Sequence, residues 1–268
     1  MLQVFKTKTS TIDEDITFRV FTPDSYKKGN SHYPVLYIMD GQNIFMDEDS
    51  VDGKSWNFSD YYEKYHAFLP EVIIVGIDCP LDNERRTALY IPFTKDFSNN
   101  ESENYHAKVE GKGKQYLLVI IEELKPWIDS NFRTIPSARY TAIGGDSSAG
   151  VLSLYAIVKY PQVFSRFLSL SGAFYHWFDA LEKEIDYSDF NFAYCYFDYG
   201  GKDCGRITSA EQFSKGNARL YDKLISHGFG DEQILYKGFP MDTHSNYCFG
   251  RRFPDALRWI FQDCMNSK

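Results

Sequence analysis

Along the chain, apolar residues fall into short runs separated by turn signals at regular intervals. Residues 16–21 alternate apolar and polar positions, as a strand with one solvated face does, whereas 35–39 and 72–77 are near-continuous apolar runs, the mark of strands covered on both faces. Residues 140–143, 167–170 and 193–197 read the same way. Between these runs the apolar spacing becomes helical, over 116–128, 151–160, 210–227 and 254–264. Strands alternating with helices predict an α/β fold: a mostly parallel central sheet with helices on both faces and an antiparallel N-terminal edge. No repeat, low-complexity tract or Pro/Gly-rich linker divides the 268 residues, so one domain covering 1–268 is the expectation.

Composition narrows the function classes. Acidic and basic residues are interspersed and sum to a net charge of −8, so the phosphate-neutralising surface that nucleic-acid binding requires is missing. No stretch has the apolar length of a membrane span, and residues 1–10, with Lys6 and Lys8, lack the apolar core of a signal peptide; the cytoplasm is the expected location. The five cysteines (Cys79, Cys195, Cys204, Cys248, Cys264) form no C-x-x-C pair, and their odd number argues against a complete disulfide framework. The six histidines are scattered singly, without zinc-ligand spacing, so neither a metal nor a cofactor is expected. The aromatic surplus (20 Tyr, 22 Phe, 4 Trp) leaves room for an aromatic-lined pocket beside the core.

In such sheets the loops leaving the carboxyl ends of the strands form the ligand crevice. Gly144-Gly145-Asp146-Ser147-Ser148-Ala149-Gly150 joins an expected strand to an expected helix, where a hydrolase places its strained nucleophile turn. The two backbones approach closely there, which demands small residues two positions either side of the serine. Ser147 has Gly145 and Ala149; Ser148 has Gly150 but also the bulky, charged Asp146. Ser147 is therefore the expected nucleophile, with a plain helix-capping serine as the alternative.

A serine hydroxyl needs an adjacent base, and the base needs a carboxylate to fix its tautomer, in the chain order Ser, Asp, His. His244 follows the apolar run 234–239 and precedes the last helix, the place expected for the base. His227, beside Gly228, reads as a helix end; His176 reads as pocket-lining within an aromatic segment; His32, His66 and His106 read as surface. Asp203, after Gly200-Gly201, is the expected acid. Asp198 is its rival, with a loop-bracing role otherwise, and Asp242 reads as a loop-bracing Asx residue. The developing oxyanion needs backbone donors. The N–H of Ser148 supplies one, and Gln42 is the expected second, with Asn43 next. Ala173-Phe174-Tyr175-His176-Trp177-Phe178 follows a strand end; these aromatics either overhang the nucleophile, making Phe174 and Trp177 substrate contacts together with Asn43, or pack as core.

These motifs, in their order from Ile16 to Phe261, resemble the putative-esterase branch of the α/β-hydrolase superfamily. That branch includes S-formylglutathione hydrolase, siderophore trilactone esterases, feruloyl esterases and mycolyl transferases. Pro34-Val35-Leu36-Tyr37-Ile38-Met39-Asp40-Gly41-Gln42-Asn43 is similar to the family's first central strand and oxyanion loop, and Ile74-Val75-Gly76-Ile77-Asp78 to its next strand. Gly111-Lys112-Gly113 through Pro126 resembles the helix before the nucleophile turn, Phe132-Arg133-Thr134 the approach to that turn, and Ser169-Leu170-Ser171-Gly172-Ala173-Phe174 the strand end after it. The resemblance puts Ser147, Asp203 and His244 on the triad positions and implies an α/β-hydrolase fold with a small cap insert around 174–192. Three positions depart from the family pattern: Ala149 stands for glycine, Asp146 for a small residue, and Leu89 for a residue that is often acidic.

The activity so implied is that of a serine carboxylic ester hydrolase acting through an acyl-enzyme on small or aromatic esters. A siderophore trilactone esterase is the first alternative. Its anionic substrate requires a local cationic cluster, for which Arg85 and Arg86 are candidates unless they form a solvated surface pair. An acyl transferase uses the same triad, and a non-catalytic binding module of this fold predicts a broken triad position.

Overall fold

The computed structural model describes residues 1–98 and 108–265. Its strands are β1 (Leu2–Lys8), β2 (Asp15–Phe21), β3 (Val35–Met39), β4 (Ile73–Ile77), β5 (Lys95–Asp96), β6 (Lys108–Val109), β7 (Thr141–Asp146), β8 (Arg166–Leu170), β9 (Tyr194–Lys202) and β10 (Ile234–Thr243). The helices are α1 (Phe58–Tyr65), α2 (Asn83–Tyr90), α3 (Gly113–Leu118), α4 (Lys125–Asn131), α5 (Ser148–Lys159), α6 (Phe178–Asp186), α7 (Ala210–Ser226), α8 (Asn246–Ile260) and α9 (Gln262–Met265).

Eight strands form one sheet in the order β1-β2-β4-β3-β7-β8-β9-β10, and β5 pairs with β6 apart from it. From β4 to β10 neighbours run parallel, while β2 is antiparallel to both β1 and β4. This is the sheet the apolar pattern predicts. Every residue of β3, β4, β7 and β8 is buried, because helices cover both faces. One face packs on α2 to α7, the other on α1 and α8. Among the described residues no helix is long and apolar enough to cross a membrane.

α1, α2, α6 and the short β5–β6 pair have no counterpart in the sequence reading, and three further elements differ from it. β1 carries no apolar signal because it is a half-exposed edge strand bearing Lys6 and Lys8. The helix expected over 116–128 is three pieces, with a π-type turn, Val119–Leu124, between α3 and α4. Pro126 cannot donate to the carbonyl four residues back and crowds it, and the widened turn relieves that conflict. The last long helix starts at Asn246 rather than Pro254, on Ser245, whose Oγ accepts the Cys248 N–H at 3.4 Å. Phe249 and Phe253 pack on Trp56, with ring centroids 6.2 and 5.2 Å away, and that burial keeps the chain helical across the proline. The segment 174–192 runs as a tight turn, Tyr175–Trp177, followed by α6, which lies against α5 and α7 with ion pairs Lys159–Glu184 (2.9 Å) and Lys223–Asp186 (2.6 Å).

Candidate active site

β7 ends at Asp146 and α5 begins at Ser148, so Ser147 alone makes the turn, at φ 55° and ψ −121°. A non-glycine residue is strained there by about 1–3 kcal/mol, so its surroundings must hold it. The Ser147 N–H donates to the Leu170 carbonyl (3.0 Å), and the Ser147 carbonyl accepts from Ala173 (3.0 Å) and Gly150 (3.1 Å). A Cβ at Gly145 would lie 2.5 Å from the Ala149 Cβ. The bare glycine on one side of the serine therefore admits the extra methyl on the other, and the turn tolerates alanine at 149. Ser148 opens the twelve-residue α5, which puts its N–H among the unpaired donors at the positive end of the helix.

Strand register brings the next two residues together. Thr243 of β10 pairs with Lys202 of β9, after an irregularity between Phe239 and Thr243. One residue further along each strand stand His244 and Asp203, which emerge side by side. His244 Nδ1 and Asp203 Oδ1 are 3.5 Å apart, and neither atom has a hydrogen-bond partner among the described residues. A small rotation of the imidazole would bring the two atoms within hydrogen-bond distance. Asp203 is fully buried, and its other oxygen accepts the Gly200 N–H at 2.6 Å. Phe213 and Phe249 flank the imidazole, at 4.8 and 5.1 Å between ring centroids, and fix its plane.

The rival carboxylates are engaged elsewhere. Asp198 accepts from Arg252 (2.8 Å), the Ser171 N–H (2.9 Å) and the Tyr196 hydroxyl (2.8 Å), tying the ends of β8 and β9 to α8. Burial pushes its carboxyl up to about 6 against the pull of Arg252. Asp242 is not a loop residue: it lies within β10, 3.6 Å from both Arg251 and Arg252.

Between β3 and α1, Asp40 adopts the left-handed conformation (φ 61°) and starts a tight turn, Gly41–Asn43. A Cβ at Gly41 would lie 2.3 Å from the Gly76 backbone, so the turn passes over β4 only because position 41 is glycine. The Asn43 N–H bonds the Asp40 carbonyl (2.9 Å), whereas the Gln42 N–H meets no acceptor among the described residues. The Gln42 side chain is held by Cys79, accepting its N–H (3.0 Å) and donating to its Sγ (2.9 Å). Asn43 Oδ1 accepts from Ser50 and Val51, both at 3.1 Å.

Two cavities of about 250 Å³ each meet at Ser147, His244, Asn83 and Arg86. Trp177, Ile207 and Phe213 wall the first; Asn43, Ser245 and Asn246 help to wall the second. Trp177 reaches a cavity although it is only 3% exposed, its ring edge-on to Phe97 at 5.7 Å. Phe174 does not. It is fully buried in the core, lines neither cavity, and its ring fills the space beside Gly172, which corrects the expectation of a substrate contact there. His176 is likewise buried, 2.5 Å from the Ile207 carbonyl, and braces a wall rather than lining one. His227 ends α7 as expected, and His32 and His66 are exposed; His106 lies outside the described residues.

α2 carries Arg85 and Arg86, which the sequence offered only as a cationic cluster or a solvated surface pair, and places them differently. The helix starts on Asp82, whose carboxylate accepts the Arg85 N–H at 2.7 Å, and it turns Leu89 into the core while Asn83, Arg86 and Thr87 face the cavities. Arg85 points away and pairs with Glu14 at 2.5 Å; Arg86 is held between Asp40 and Asp146. They therefore form neither a shared anion site nor a solvated pair.

Residues 9–193 match the family described as "Putative esterase", a span that includes the Gly41–Asn43 turn and Ser147 and stops short of Asp203 and His244. Over 247 residues the chain is 23% identical to YbbA, an uncharacterized protein of Bacillus subtilis (strain 168), covering 91% of this chain and 92% of that one. It is similar in structure to an IroE-like serine hydrolase from Shewanella oneidensis, with a TM-score of 0.73 and 22% identity over 96% of this chain and 79% of that one. It is also similar to the enterobactin esterase of Shigella flexneri in the presence of 2,3-dihydroxy-N-benzoyl-glycine, with a TM-score of 0.71 and 18% identity over 98% of this chain and 59% of that one. At these identities the structural likeness is one of fold. The family match covers more than half of the chain, and with the α/β-hydrolase arrangement of the sheet it makes this protein a member of the putative esterase family, hydrolases that act on esters.

Proposed function

We propose that the protein is a serine carboxylic ester hydrolase, a single catalytic domain over 1–268, acting through an acyl-enzyme on small or aromatic esters. One observation carries the reading: the strained Ser147 lines the same two cavities as His244, whose Nδ1 faces an unpaired oxygen of the buried Asp203. In this mechanism Ser147 Oγ attacks the ester carbonyl carbon while His244 Nε2 takes its proton. The oxyanion accepts from the N–H groups of Ser148 and Gln42. On collapse, His244 gives the proton to the departing alcohol oxygen. Water then attacks the acyl-enzyme by the same route and releases the acid. Asp203 holds the imidazole in the tautomer that leaves Nε2 free to accept.

The cavity walls suggest the substrate. Trp177, Ile207 and Phe213 suit a planar or short acyl group, and about 250 Å³ is too small for a long flexible chain, which also loses more rotational freedom on binding. Asn43, Asn83 and Asn246 on the other side suit a polar alcohol. A trilactone siderophore ranks second because Arg85 and Arg86 are both neutralised by carboxylates. A panel of chromogenic esters from acetyl to long acyl and aromatic acyl tests the reading. Hydrolysis that prefers short or aromatic acyl groups and disappears in Ser147→Ala supports it; an active Ser147→Ala enzyme refutes it. Products formed with and without an added alcohol separate a hydrolase from an acyl transferase.

A further inference from the structure

Three charged side chains sit beside the candidate nucleophile and take no part in the chemistry just described. Arg86 on α2 sends Nε and one terminal nitrogen to the two oxygens of Asp40, at 2.8 and 2.5 Å, and the same terminal nitrogen reaches Asp146 at 3.3 Å. Tyr90, one turn further along α2, donates its hydroxyl to Asp40 (3.3 Å) and lays its ring 5.1 Å from the guanidinium carbon. The Asp40 side chain is fully buried, and those of Arg86 and Asp146 are 17% and 10% exposed. Asp40 stands two residues before Gln42, and Asp146 two residues before Ser148. One planar fork thus holds two strand ends that carry, at the same remove, the two proposed oxyanion donors.

We infer that Arg86 is a positioning residue that ties the Gly41–Asn43 turn to the nucleophile turn and so fixes the spacing of the Gln42 and Ser148 N–H groups. This rests on the serine-esterase reading above. Preorganisation is what gives such donors their effect: losing one costs on the order of 10²–10³ in kcat, and a misplacement of about 1 Å on the order of 10². The donors grip the oxyanion more tightly than the ground-state carbonyl, so loosening them lowers kcat and leaves KM nearly unchanged. A lysine at 86 cannot reproduce the grip, since a single ammonium lacks the planar fork that engages both oxygens of Asp40 while reaching Asp146. Nor is Arg86 a free anion site, because two carboxylates already face its one positive charge.

The test is Arg86→Lys in the full-length enzyme, assayed on the best ester of the panel. The expected result is a kcat lower by about 10- to 100-fold with KM within about twofold. The Ki for phenylboronic acid, which forms a tetrahedral adduct on a serine Oγ, should rise in step with the fall in kcat. A folded Arg86→Lys enzyme with kcat within about threefold of wild type overturns the inference. So does a raised KM at constant kcat, which would make Arg86 a ground-state contact. Mass-spectrometric mapping of a fluorophosphonate adduct on the wild-type enzyme separates the two levels: labelling away from Ser147 fails the serine reading itself, whereas labelling of Ser147 leaves only the role of Arg86 at stake. If Arg86→Lys does not fold, Asp146→Ala removes the acceptor at one end of the same grip. It should lower kcat by about three- to tenfold at constant KM, and an unchanged kcat overturns the inference.

Discussion

Replacing Asp203 by asparagine keeps the shape of the side chain and removes its charge, and the surroundings dictate which way the new amide turns. The Gly200 N–H at 2.6 Å needs an acceptor, so the amide oxygen takes that side and the NH₂ faces His244 Nδ1 across 3.5 Å. A donor there obliges Nδ1 to accept, which leaves the ring proton on Nε2, the nitrogen that has to take the proton from Ser147. The base is then in the wrong tautomer, and the imidazolium has lost its buried counter-charge. The loss should be on the order of 10³–10⁴ in kcat, about 4–5.5 kcal/mol of transition-state stabilisation, with KM little changed. Asp198→Asn is the matched control. It leaves the buried Arg252 without its 2.8 Å carboxylate partner, a change that costs about 3–5 kcal/mol, or a Tm lower by roughly 10 °C, and it does not touch His244. Aryl-ester hydrolysis at saturating substrate, with folded fraction from circular dichroism and Tm from calorimetry, distinguishes the two. Near wild-type turnover in Asp203→Asn, or collapse of activity in a folded Asp198→Asn protein, would refute the reasoning and reassign the acid.

Ser147→Ala should lower kcat on the order of 10⁶, whereas Ser148→Ala, which keeps its backbone N–H, should stay within about tenfold of wild type; the reverse order would move the nucleophile to Ser148. Trp177→Ala should raise KM for aromatic esters more than for acetyl esters and also lower stability, because the ring is almost wholly buried on Phe97; Phe174→Ala, deep in the core, should cost about 3–5 kcal/mol without altering preference, and a selectivity change in Phe174→Ala alone would contradict the cavity assignment. Burial, and then the charge of Asp40, raise the Asp146 carboxyl well above its ordinary value, so the native state holds that proton more tightly than the unfolded chain. The resulting stability is complete below about pH 4 and is lost as pH rises through the raised native value, so Asp146→Asn should gain Tm relative to wild type between about pH 4 and pH 8; a difference that is flat or declines with pH would count against a buried proton there.

What the sequence made legible was local. The run 35–39 matches β3 residue for residue because burial on both faces writes itself as continuous hydrophobicity. The strained turn at Ser147 is legible for a similar reason: its demand for small neighbours acts between residues two apart in the chain, and Gly145 and Ala149 meet it directly. Phe174 and Trp177 show where such reasoning stops. Both are aromatic, three positions apart in one segment, and only the partners each meets, Gly172 for one and the cavity mouth for the other, send them to different places. Asp203 was chosen as the expected acid by its place in the chain, but its adjacency to His244 depends on the irregular pairing between Phe239 and Thr243, which shifts β10 against β9 and has no signature in composition or periodicity.

Arg86 was illegible for a deeper reason, and its place bears on which esters the site accepts. Its two partners lie 46 and 60 residues away in sequence, so nothing local distinguishes it from its neighbour Arg85, which pairs with Glu14. Once buried, it faces two carboxylates, and burial and Asp40 raise the carboxyl of Asp146 to about 7, so the cluster beside Ser147 passes from neutral to net negative as that proton leaves. A negative cluster opposes the charge that develops on the substrate oxygen, and the opposition is stronger in a site shielded from water. In a serine mechanism the oxyanion must then be stabilised by N–H dipoles at hydrogen-bond distance and by the positive end of α5, rather than by net charge. An acyl or alcohol group that brings its own negative charge would meet the same field, and Arg206, which also lines the first cavity, already faces Glu84 at 3.5 Å. On the proposed serine-esterase reading, neutral esters suit both this field and the apolar wall formed by Trp177, Ile207 and Phe213.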